Sequence, residues 1–563
     1  MRATTLYKYH IKRLRLVFVF IAISIMVSAL KTLYVQLFKY QELNIVKNIE
    51  VSGKRGGIYD RNGAKLAYDI AMYELFVEKN NGYDYKAVSS FMNKNFDLDY
   101  DVFDSLSNVS NNYFSLAKSV TADKINLIND EIKNIQGLRV SKKYIGRYYP
   151  KNNLSSQLIG KFSGKENKKG LWGVEFVMDD VLAAKKDSIA FKVSSRGSVY
   201  APYSEYDYDK LSGNDVSLTI DVLYQRILES ELYRQLNVIG AESANGLIIN
   251  PYNGEILALA SIPNINLNND IPRNNDAYRD YSTFYDYEPG STFKIFPVLT
   301  GIENKIISLD DKYFCENGAY KDPKSKRKIT DHIGYDTLSV SEILSVSSNI
   351  GIAKIASDIG QSKVYNMMKV FGIGQKTGIE KYQESCGRLK EIDDWDNYSL
   401  ASISMGQEIL SNNLQIAMAY AALANGGYLL KPRLINPTNS DLEIIRKVSD
   451  ASSINLVIEA LKSVVSIGTA SSLKKDYCMY GKTGTAEIYD IDVGDYSDSE
   501  YISTFAGVFP CKNPKLVCVV SFHKTSEDYR WAGVSAAPVV QNIFEDIFIE
   551  DRDFLIGMFN ESE

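Results

Sequence analysis

The sequence predicts an α+β fold, because two pairs of short apolar segments enclose a long helical middle section. The first pair, residues 243–250 and 255–261, is separated by the turn-forming sequence Pro-Tyr-Asn-Gly. The second pair, residues 503–510 and 516–522, lies near the end of the chain. Between the pairs, apolar residues recur at helical spacing, for example over residues 414–425. An antiparallel sheet with a helical insert is therefore expected.

The N-terminal segment has the composition of a membrane anchor. Basic residues, and no Asp or Glu, precede the apolar run at residues 16–30, and apolar residues resume beyond Lys31. Because Lys and Arg favour the cytoplasmic side, we expect residues 1–15 to be a cytoplasmic tail and residues 16–38 a single transmembrane helix. The rest of the chain would then be extracytoplasmic. A cleaved signal peptide is the alternative, since small residues lie near the end of the apolar run.

Composition argues against several classes of function. The 563 residues carry a formal net charge of -5 and give a pI near 5.6, which does not favour nucleic-acid binding. The 5 cysteines form no C-x-x-C pair and the 3 histidines form no H-E-x-x-H motif, so no metal site and no cofactor are expected. The acidic residues 490–500 are expected to form a solvated loop. An odd number of cysteines leaves at least one thiol unpaired.

The candidate nucleophile is Ser291, which follows a Pro-Gly turn and opens an apolar helical pattern. Lys294 lies one helical turn later on the same face, so its amine can approach the serine oxygen. A buried lysine with a lowered pKa can act as a general base where histidine is scarce. The S-x-x-K spacing alone is weak, because it recurs by chance elsewhere in this chain. The turn, the helix and the neighbouring motifs select Ser291.

A second motif contains Ser347 and Asn349, between two apolar helical runs. A turn between helices can present a hydroxyl and an amide side by side. Ser347 could then relay a proton, and Asn349 could form a hydrogen bond with a substrate amide. The alternative is that these residues are ordinary helix caps.

The third motif, Lys482-Thr483-Gly484-Thr485, precedes the second strand pair and is expected on an exposed strand. Gly484 would let an extended peptide pair along the strand, while Lys482 and Thr483 would supply a charge and a hydroxyl for a carboxylate. A second Lys-Thr-Gly sequence, at residues 376–378, follows what looks like a helix end and is not expected to take part.

In this order, the S-x-x-K, S-x-N and K-T-G motifs resemble those of penicillin-binding proteins and serine β-lactamases. Upstream, residues 55–63, 147–150 and 170–175 resemble motifs of class B penicillin-binding proteins, so the likeness covers nearly the whole chain. We interpret these upstream motifs as structural, through salt bridges and glycine turns. The resemblance implies an elongated α+β pedestal domain at residues 39–210. Independently, the Ser-, Tyr- and Asp-rich composition of residues 194–210 predicts a linker or hairpin ahead of a second domain. The resemblance also implies a β-lactamase-like transpeptidase domain at residues 211–563, with an antiparallel sheet flanked by helices and an all-helical insert.

The same resemblance implies a peptidoglycan DD-transpeptidase without metal or cofactor. Ser291 would attack the penultimate D-Ala carbonyl of a D-Ala-D-Ala stem peptide, and β-lactam antibiotics would acylate the same serine. The backbone N–H groups of Ser291 and Thr485 would form the oxyanion hole. The implied catalytic residues are Ser291, Lys294, Ser347, Asn349 and Lys482, and the implied substrate-binding residues are Thr483, Gly484 and Thr485.

Within class B, residues 287–290 and 503–507 resemble the division-type, FtsI-like branch. This implies septal wall synthesis at the bacterial inner membrane, with a periplasmic catalytic domain. A polytopic SEDS-family glycosyltransferase and other divisome proteins are the implied partners. The alternatives are an elongation-type transpeptidase, a DD-carboxypeptidase or β-lactamase-type hydrolase, and a penicillin-binding sensor or scaffold without turnover. Glu408 departs from the small residue usual in the family, which leaves the local loop geometry open.

Overall fold

The N-terminus is a single long apolar helix. The computed structural model describes residues 2–39, 45–79, 82–108, 111–141, 144–163, 169–193, 199–202, 204–269, 278–380, 383–436, 442–473, 478–490 and 495–560. Helix α1 (Arg2–Tyr34) continues into a π-helical segment, Val35–Lys39. The 32 residues Tyr7–Phe38 are long and apolar enough to cross a membrane, and none of their most apolar part is buried in the protein.

Up to residue 202, short strands and short helices follow one another along the chain, in agreement with the expected α+β pedestal. The strands are β1 (Ile45–Ser52), β2 (Ile58–Tyr59), β3 (Lys65–Glu78), β4 (Tyr113–Thr121), β5 (Leu138–Val140), β6 (Tyr144–Tyr148), β7 (Lys186–Val193) and β8 (Val199–Pro202). The helices are α2 (Tyr85–Phe96), α3 (Tyr100–Ser107), α4 (Ala122–Asn134), α5 (Ser156–Ile159), α6 (Gly173–Val177) and α7 (Asp179–Leu182).

The chain divides into two compact units. One consists of Met1–Arg55 with Ala183–Gly213, and the other of Gly56–Leu182 with Asn214–Glu563. In the first unit, β1, β7 and β8 form an antiparallel sheet in that order. Strands β7 and β8 pair as a hairpin, of which only β8 lies within residues 194–210, where a linker or hairpin is expected; residues 194–198 and 203 lie outside the described residues.

In the second unit, a sheet centred on β3 carries its own apolar core. Strand β3 pairs with β2, β4, β5 and β6, and β2 pairs in parallel with β9 (Val216–Ser217). Helix α4 buries Ile125, Ile128 and Ile132, whose spacing places them on one helical face. Thr121 begins this helix by accepting a hydrogen bond from the Lys124 N–H. The amphipathic sequence therefore determines which face of α4 packs.

The larger C-terminal part contains the remaining elements. After β9 the strands are β10 (Ser243–Ile249), β11 (Ile256–Ile262), β12 (Lys312–Phe314), β13 (Ala319–Lys321), β14 (Lys328–Thr330), β15 (Thr337–Ser339), β16 (Tyr428–Leu430), β17 (Ile444–Lys447), β18 (Tyr480–Asp490), β19 (Asp495–Phe509) and β20 (Leu516–Thr525). The helices are α8 (Val222–Ile239), α9 (Tyr281–Phe284), α10 (Ile295–Glu303), α11 (Val340–Val346), α12 (Asn349–Ile359), α13 (Gln361–Val370), α14 (Ser399–Ser404), α15 (Asn413–Ala424), α16 (Ala451–Ser466), α17 (Ala537–Glu550) and α18 (Arg552–Asn560).

A five-stranded antiparallel sheet organises this part, in the order β11-β10-β20-β19-β18. Both predicted strand pairs are present, and the helices α10 to α16 are inserted between β11 and β18. Helices α8 and α17 pack on one face of the sheet and α15 on the other. Successive residues of a strand point to opposite faces, so Val520 lies towards α8 while Ser521 bonds with Asn413 of α15. The predicted α+β fold class is confirmed.

Residues 495–500 lie in strand β19 and do not form the solvated loop expected for residues 490–500; residues 491–494 lie outside the described residues. Strands β18 and β19 remain paired as far as Asp490 and Asp495, so most of the acidic stretch belongs to a long hairpin. Tyr496 extends from this hairpin and donates a hydrogen bond to the Glu288 carboxylate at 3.0 Å. Acidic composition indicated exposure to water, but it did not determine the backbone conformation, because an exposed hairpin can carry the same charges.

The upstream motifs have structural roles, as predicted. Buried Arg147 contacts Glu175 at 2.6 Å and Asp69 at 3.3 Å, and it donates a hydrogen bond to the Gly56 carbonyl at 2.8 Å. Asp60 accepts a hydrogen bond from the backbone N–H of Val222, where α8 begins. Burying a guanidinium group is unfavourable unless carboxylates and carbonyls surround it. These motifs therefore hold the backbone of the pedestal segment together.

Cysteine pairing adds a covalent link next to β18. Cys478 and Cys511 form a disulfide that closes a separation of 33 residues, and the unpaired thiols are those of Cys315, Cys386 and Cys518. Unpaired thiols agree with the odd number of cysteines. The disulfide joins the residues just before β18 to those just after β19, so it fixes one end of this strand pair.

A buried carboxylate, Glu229 on α8, connects three segments. It accepts hydrogen bonds from the Ser155 N–H at 2.7 Å, the Gln225 side chain at 2.8 Å and the Asn264 side chain at 2.8 Å. Burial nevertheless raises the pKa of Glu229 to about 7, and the hydrogen bonds only partly oppose that rise. The folded protein therefore favours the protonated form more strongly than the unfolded chain does.

We predict that Glu229 makes the folded state less stable as the pH rises from about 4.5 to about 7. In this window the folded state binds more protons than the unfolded state, so stability falls with increasing pH, by on the order of 3 kcal/mol over the full shift. In thermal unfolding from pH 5 to pH 8, Glu229→Gln should lose less stability than the wild type. Glu459→Gln, which alters an exposed carboxylate on α16, serves as the control. Parallel pH profiles for the wild type and Glu229→Gln would contradict the prediction.

Candidate active site

The candidate nucleophile lies on a tight turn at the start of a buried helix. Ser291 belongs to a 3-10 helix, Gly290–Lys294, which leads directly into α10. Ser291 keeps part of its surface exposed, whereas Lys294 is fully buried. The Thr292 carbonyl accepts a hydrogen bond from the buried Tyr420 hydroxyl at 2.9 Å. The turn is thus anchored to α15, with the serine at its accessible end.

The edge strand β18 passes unusually close to this turn. A side chain at Gly290, which has a φ of 53°, would place its Cβ 2.7 Å from the Thr485 carbonyl oxygen. A side chain at Gly484 would place its Cβ 2.8 Å from the Pro289 carbonyl oxygen. Glycine at both positions is therefore required for the strand and the turn to approach each other. This approach brings Thr485 next to the segment that carries Ser291.

Lys294 is the centre of the hydrogen-bond network. Its Nζ donates to the Ser347 carbonyl at 2.6 Å, the Asn349 Oδ1 at 2.7 Å and the Ser347 Oγ at 3.2 Å. Burial lowers the pKa of Lys294 to about 7, and the negative charge of Asp331 opposes this effect. A substantial fraction of this amine is therefore neutral near pH 7, as a general base requires.

The second motif lies in the turn between α11 and α12. Ser347 ends α11 in the left-handed conformation, with a φ of 64°, and Ser348 begins α12 by accepting a hydrogen bond from the Gly351 N–H. The helix-cap alternative is therefore correct for the backbone of Ser347 and the side chain of Ser348. The side chains of Ser347 and Asn349 point to Lys294 instead. This turn therefore caps two helices and also directs two polar side chains to the Lys294 amine.

Lys482 lies on the edge strand, but its side chain is completely buried. The expectation of an exposed position is wrong for this residue, because the strand edge faces the helical insert. Its Nζ donates to the Thr483 carbonyl at 3.2 Å and to the Thr483 Oγ1 at 3.3 Å. Burial, and secondarily the charge of Lys294, lower the pKa of Lys482. The two lysines are thus close enough to affect each other's protonation.

The structure brings most of the predicted site residues together. Lys294, Ser347 and Asn349 are in direct contact, and Gly484 and Thr485 lie against the turn that carries Ser291. The Thr483 hydroxyl shares a hydrogen bond of 2.6 Å with Thr469, and Lys482 lies within electrostatic range of Lys294.

The second Lys-Thr-Gly sequence does not join this group. Its Thr377 N–H and hydroxyl, and its Gly378 N–H, donate to the Glu384 carboxylate in a turn after α13. Its polar groups are therefore used to stabilise a local turn, as the position after a helix end predicted.

The sequence did not predict the geometry of the loop around Glu408, and the structure defines it. It has a φ of 55°, and its N–H donates to the Glu288 Oε1 at 2.9 Å. Its own carboxylate accepts hydrogen bonds from Lys390 at 2.7 Å and from Ser399 at 3.0 Å. The loop therefore accommodates a large side chain by pairing its charge.

Sequence reasoning missed two carboxylates near the site. Glu288 connects the nucleophile turn to Glu408 and Tyr496, and Asp331 accepts hydrogen bonds from the turn that contains Asn349. Glu288 lies three residues before Ser291, so its closeness to the nucleophile in the sequence could have identified it. Asp331 lies 18 residues before Asn349 in a separate hairpin, so no local spacing indicated it.

The arrangement combines a partly exposed hydroxyl, a buried amine and an extended strand edge. The amine lies three residues from the hydroxyl on the same short helix. Such a set can support nucleophilic attack on a carbonyl in an extended peptide, with the amine accepting the proton. Metal-binding groups of three or more His, Cys, Asp or Glu are absent among the residues that the structure describes.

Comparisons with known proteins agree with this architecture. Residues 246–545 match the family model of the penicillin-binding protein transpeptidase domain, and residues 50–218 match that of the penicillin-binding protein dimerisation domain. Stage V sporulation protein D of Bacillus subtilis (strain 168) is 27% identical, covering 95% of this chain and 85% of that protein. A peptidoglycan D,D-transpeptidase FtsI homolog of Mesostigma viride is 26% identical, covering 88% of this chain and 87% of that protein.

A solved structure supports the fold. The crystal structure of penicillin-binding protein 3 from Mycobacterium tuberculosis, complexed with aztreonam, superposes with a TM-score of 0.66 at 23% identity. The match covers 89% of this chain and 97% of that chain. Two matched domains in this order, on an antiparallel sheet with a helical insert, define a transpeptidase of the penicillin-binding class. This chain belongs to the class B penicillin-binding proteins.

We predict that the rate of Ser291 acylation by a penicillin rises with pH through about 7 and then levels off. The pKa of Lys294 is lowered to about 7, so the neutral, proton-accepting form increases as the pH rises through that value. Second-order rate constants for a fluorescent penicillin, measured from pH 5.5 to pH 9, should increase about tenfold per pH unit below the inflection. Lys376→Ala, at the second Lys-Thr-Gly sequence, should retain the profile. An inflection near the pKa of an exposed lysine would refute a buried base.

Proposed function

We propose that this chain is a peptidoglycan DD-transpeptidase that cross-links stem peptides through an acyl-enzyme on Ser291. The single observation that supports this most strongly is the buried Lys294 amine, whose Nζ is within 2.7 Å of the Ser347 carbonyl and of the Asn349 Oδ1. These contacts hold a weakly basic amine beside the start of a helix that carries a partly exposed serine. Similarity to named D,D-transpeptidases supplies the substrate class.

In the first half-reaction, Ser291 Oγ attacks the penultimate D-Ala carbonyl while Lys294 accepts the hydroxyl proton. A bond forms between Oγ and the carbonyl carbon, and the bond to the nitrogen of the terminal D-Ala breaks. The departing amine takes a proton, which Ser347 can relay from Lys294 because Ser347 Oγ lies 3.2 Å from Nζ. Backbone N–H groups of Ser291 and Thr485 stabilise the oxyanion.

In the second half-reaction, an amine from another stem peptide attacks the acyl-enzyme. The new amide bond forms as the ester bond to Ser291 breaks, and the proton of the amine returns to the serine through Lys294. Water in place of the amine would give hydrolysis. The extended peptide aligns along β18, where Gly484 allows the strand to approach the Ser291 turn and where Lys482 and Thr483 bind a substrate carboxylate. β-Lactams acylate Ser291 by the same first step.

We further propose a single-pass protein of the bacterial inner membrane with a septal role. The tail at residues 1–15 would be cytoplasmic and residues 16–38 would span the membrane. The pedestal (residues 39–210) and the transpeptidase domain (residues 211–563) would be periplasmic. The apolar helix α1 and its basic N-terminal side support this topology. The division-type sequences and the similarity to an FtsI homolog support septal synthesis, with a SEDS-family glycosyltransferase and other divisome proteins as partners.

Ser291→Ala should abolish labelling of the full-length, detergent-solubilised protein by a fluorescent penicillin. The variant lacks the oxygen that forms the ester, whereas the size of the side chain changes little. Ser325→Ala is the matched control, because Ser325 begins a chance S-x-x-K sequence outside the site and should be labelled like the wild type. Labelling that persists in Ser291→Ala would eliminate the proposed nucleophile.

The same two variants distinguish a transpeptidase from a hydrolase or a sensor. With a thioester stem-peptide mimic and a D-amino acid acceptor, the wild type and Ser325→Ala should form the aminolysis product, and Ser291→Ala should form none. Release of the free acid alone would favour a hydrolase. Labelling without any turnover of the thioester would favour a sensor or scaffold.

Depletion of the protein in its host should produce filaments, because septal cross-linking would stop while the side wall continues to grow. Microscopy over several doublings measures this directly, and re-expression of the wild type should restore division. Re-expression of Ser291→Ala should not. Rounded or swollen cells on depletion would instead indicate an elongation-type enzyme.

A further inference from the structure

Asp331 forms the hydrogen bonds that fix the turn between α11 and α12. It follows β14 directly, and its Oδ1 accepts hydrogen bonds from the Asn349 N–H at 2.5 Å and the Ile350 N–H at 3.1 Å. Its Oδ2 accepts a hydrogen bond from the Ser348 hydroxyl at 2.5 Å. The first N–H groups of a helix have no partner within the helix, and a carboxylate satisfies them well. The start of α12 is thus fixed by a residue from another element.

The residue before Asp331 fixes the orientation of the Asn349 side chain. The Thr330 carbonyl accepts a hydrogen bond from the Asn349 Nδ2 at 3.0 Å. The amide oxygen on the other side then faces Lys294, whose Nζ lies 2.7 Å away. An amide that donates on one side is obliged to accept on the other. The β13–β14 hairpin therefore determines which atom Asn349 presents to the amine.

The same contacts define the position of the Ser347 carbonyl. Ser347 has a left-handed backbone, which a residue other than glycine adopts only when its surroundings impose it. The residues that follow it, Ser348 and Asn349, are both bonded to Asp331. Their fixed position holds the Ser347 carbonyl 2.6 Å from the Lys294 Nζ. Two of the three acceptors around the amine are thus placed through Asp331 and Thr330.

We propose that Asp331 is a positioning residue for the transpeptidase reaction, which holds Ser347 and Asn349 around Lys294 and supplies a negative charge that acts on this buried amine. The proposal rests on the proposed role of Lys294 as the general base. Asp331 does not bond directly to Lys294, so it acts on the amine through the turn and through its electric field.

The effect of the Asp331 charge on the pKa of Lys294 can be measured. Burial lowers the pKa of Lys294, and the charge of Asp331 raises it; the charge of Lys294 in turn lowers the pKa of the buried Lys482, which burial already lowers. Burial raises the pKa values of Tyr335 and Cys315, and the charge of Asp331 raises both further, whereas Lys354 lowers that of Cys315. Removing the Asp331 charge should therefore lower the pKa of Lys294 further.

Two variants separate the charge of Asp331 from its geometry. Asp331→Asn keeps an oxygen for the two backbone N–H groups but removes the charge, whereas Asp331→Glu keeps the charge at a different distance. Asp322→Asn is the matched control, since Asp322 accepts hydrogen bonds from the N–H and hydroxyl of Ser325 in the same hairpin. The rate of acylation by a fluorescent penicillin is measured from pH 5 to pH 9 on the full-length protein.

For Asp331→Asn we expect the inflection of the pH-rate profile to move to lower pH and the plateau rate to fall about tenfold. For Asp331→Glu the plateau should fall while the inflection stays near that of the wild type. Asp322→Asn should match the wild type in both. A lowered plateau with an unmoved inflection in Asp331→Asn would overturn the electrostatic role, and a wild-type plateau in Asp331→Glu would overturn the positioning role.

The controls keep this proposal distinct from the proposed function. If Asp331→Asn fails to fold in a thermal scan, the Asp331→Glu result alone decides the positioning role. If the wild type is acylated at Ser291 but the Asp331 variants behave like it, only the inference about Asp331 fails. If the wild type is not acylated at all, the proposed function itself fails.

Discussion

The site depends on one constraint: an amine is buried completely and yet held in place by oxygen atoms. Burial makes the ammonium form of Lys294 unfavourable, while the oxygens of Ser347 and Asn349 keep the nitrogen from moving away. A solvent-exposed lysine would be charged and mobile, and it could not accept a proton near pH 7. The packing of the sheet, α15 and the nucleophile turn keeps this amine buried and in a fixed position.

The nucleophile turn is packed closely against α15 and β18. A buried hydrogen bond from the Tyr420 hydroxyl anchors the turn to α15. Strand β18 packs against the turn as well, and its close approach requires glycine at positions 290 and 484. Just upstream, the Tyr287 hydroxyl donates to the Asn413 side chain at 2.5 Å and lies 2.9 Å from the Ser521 hydroxyl. These buried polar groups satisfy one another, so the sheet and α15 form a rigid support. Rigidity matters because a small displacement of a catalytic group greatly reduces rate.

Local patterns predicted the parts of this site that depend on local geometry. The spacing of Ser291 and Lys294 determines a helical face, and the strand pairs follow from short apolar runs around turn residues. Contacts between distant segments were not predictable in this way. Asp331 reaches α12 from another hairpin, Lys482 is buried by the helical insert, and the disulfide partner of Cys478 depends on how β18 and β19 align. Each of these follows from tertiary packing, for which one sequence offers no periodicity.

The third motif is sheltered rather than exposed, and this burial places Lys482 under the electrostatic influence of Lys294. Burial lowers the pKa of both Lys294 and Lys482, and the charge of Lys294 lowers that of Lys482 further. Two positive charges so close in a dry site are unfavourable, so their protons are coupled and belong to the pair. An arriving substrate carboxylate would favour a charge on Lys482, and that charge in turn would favour the neutral form of Lys294. An exposed, permanently charged lysine on the edge strand would not be coupled in this way to the proposed base.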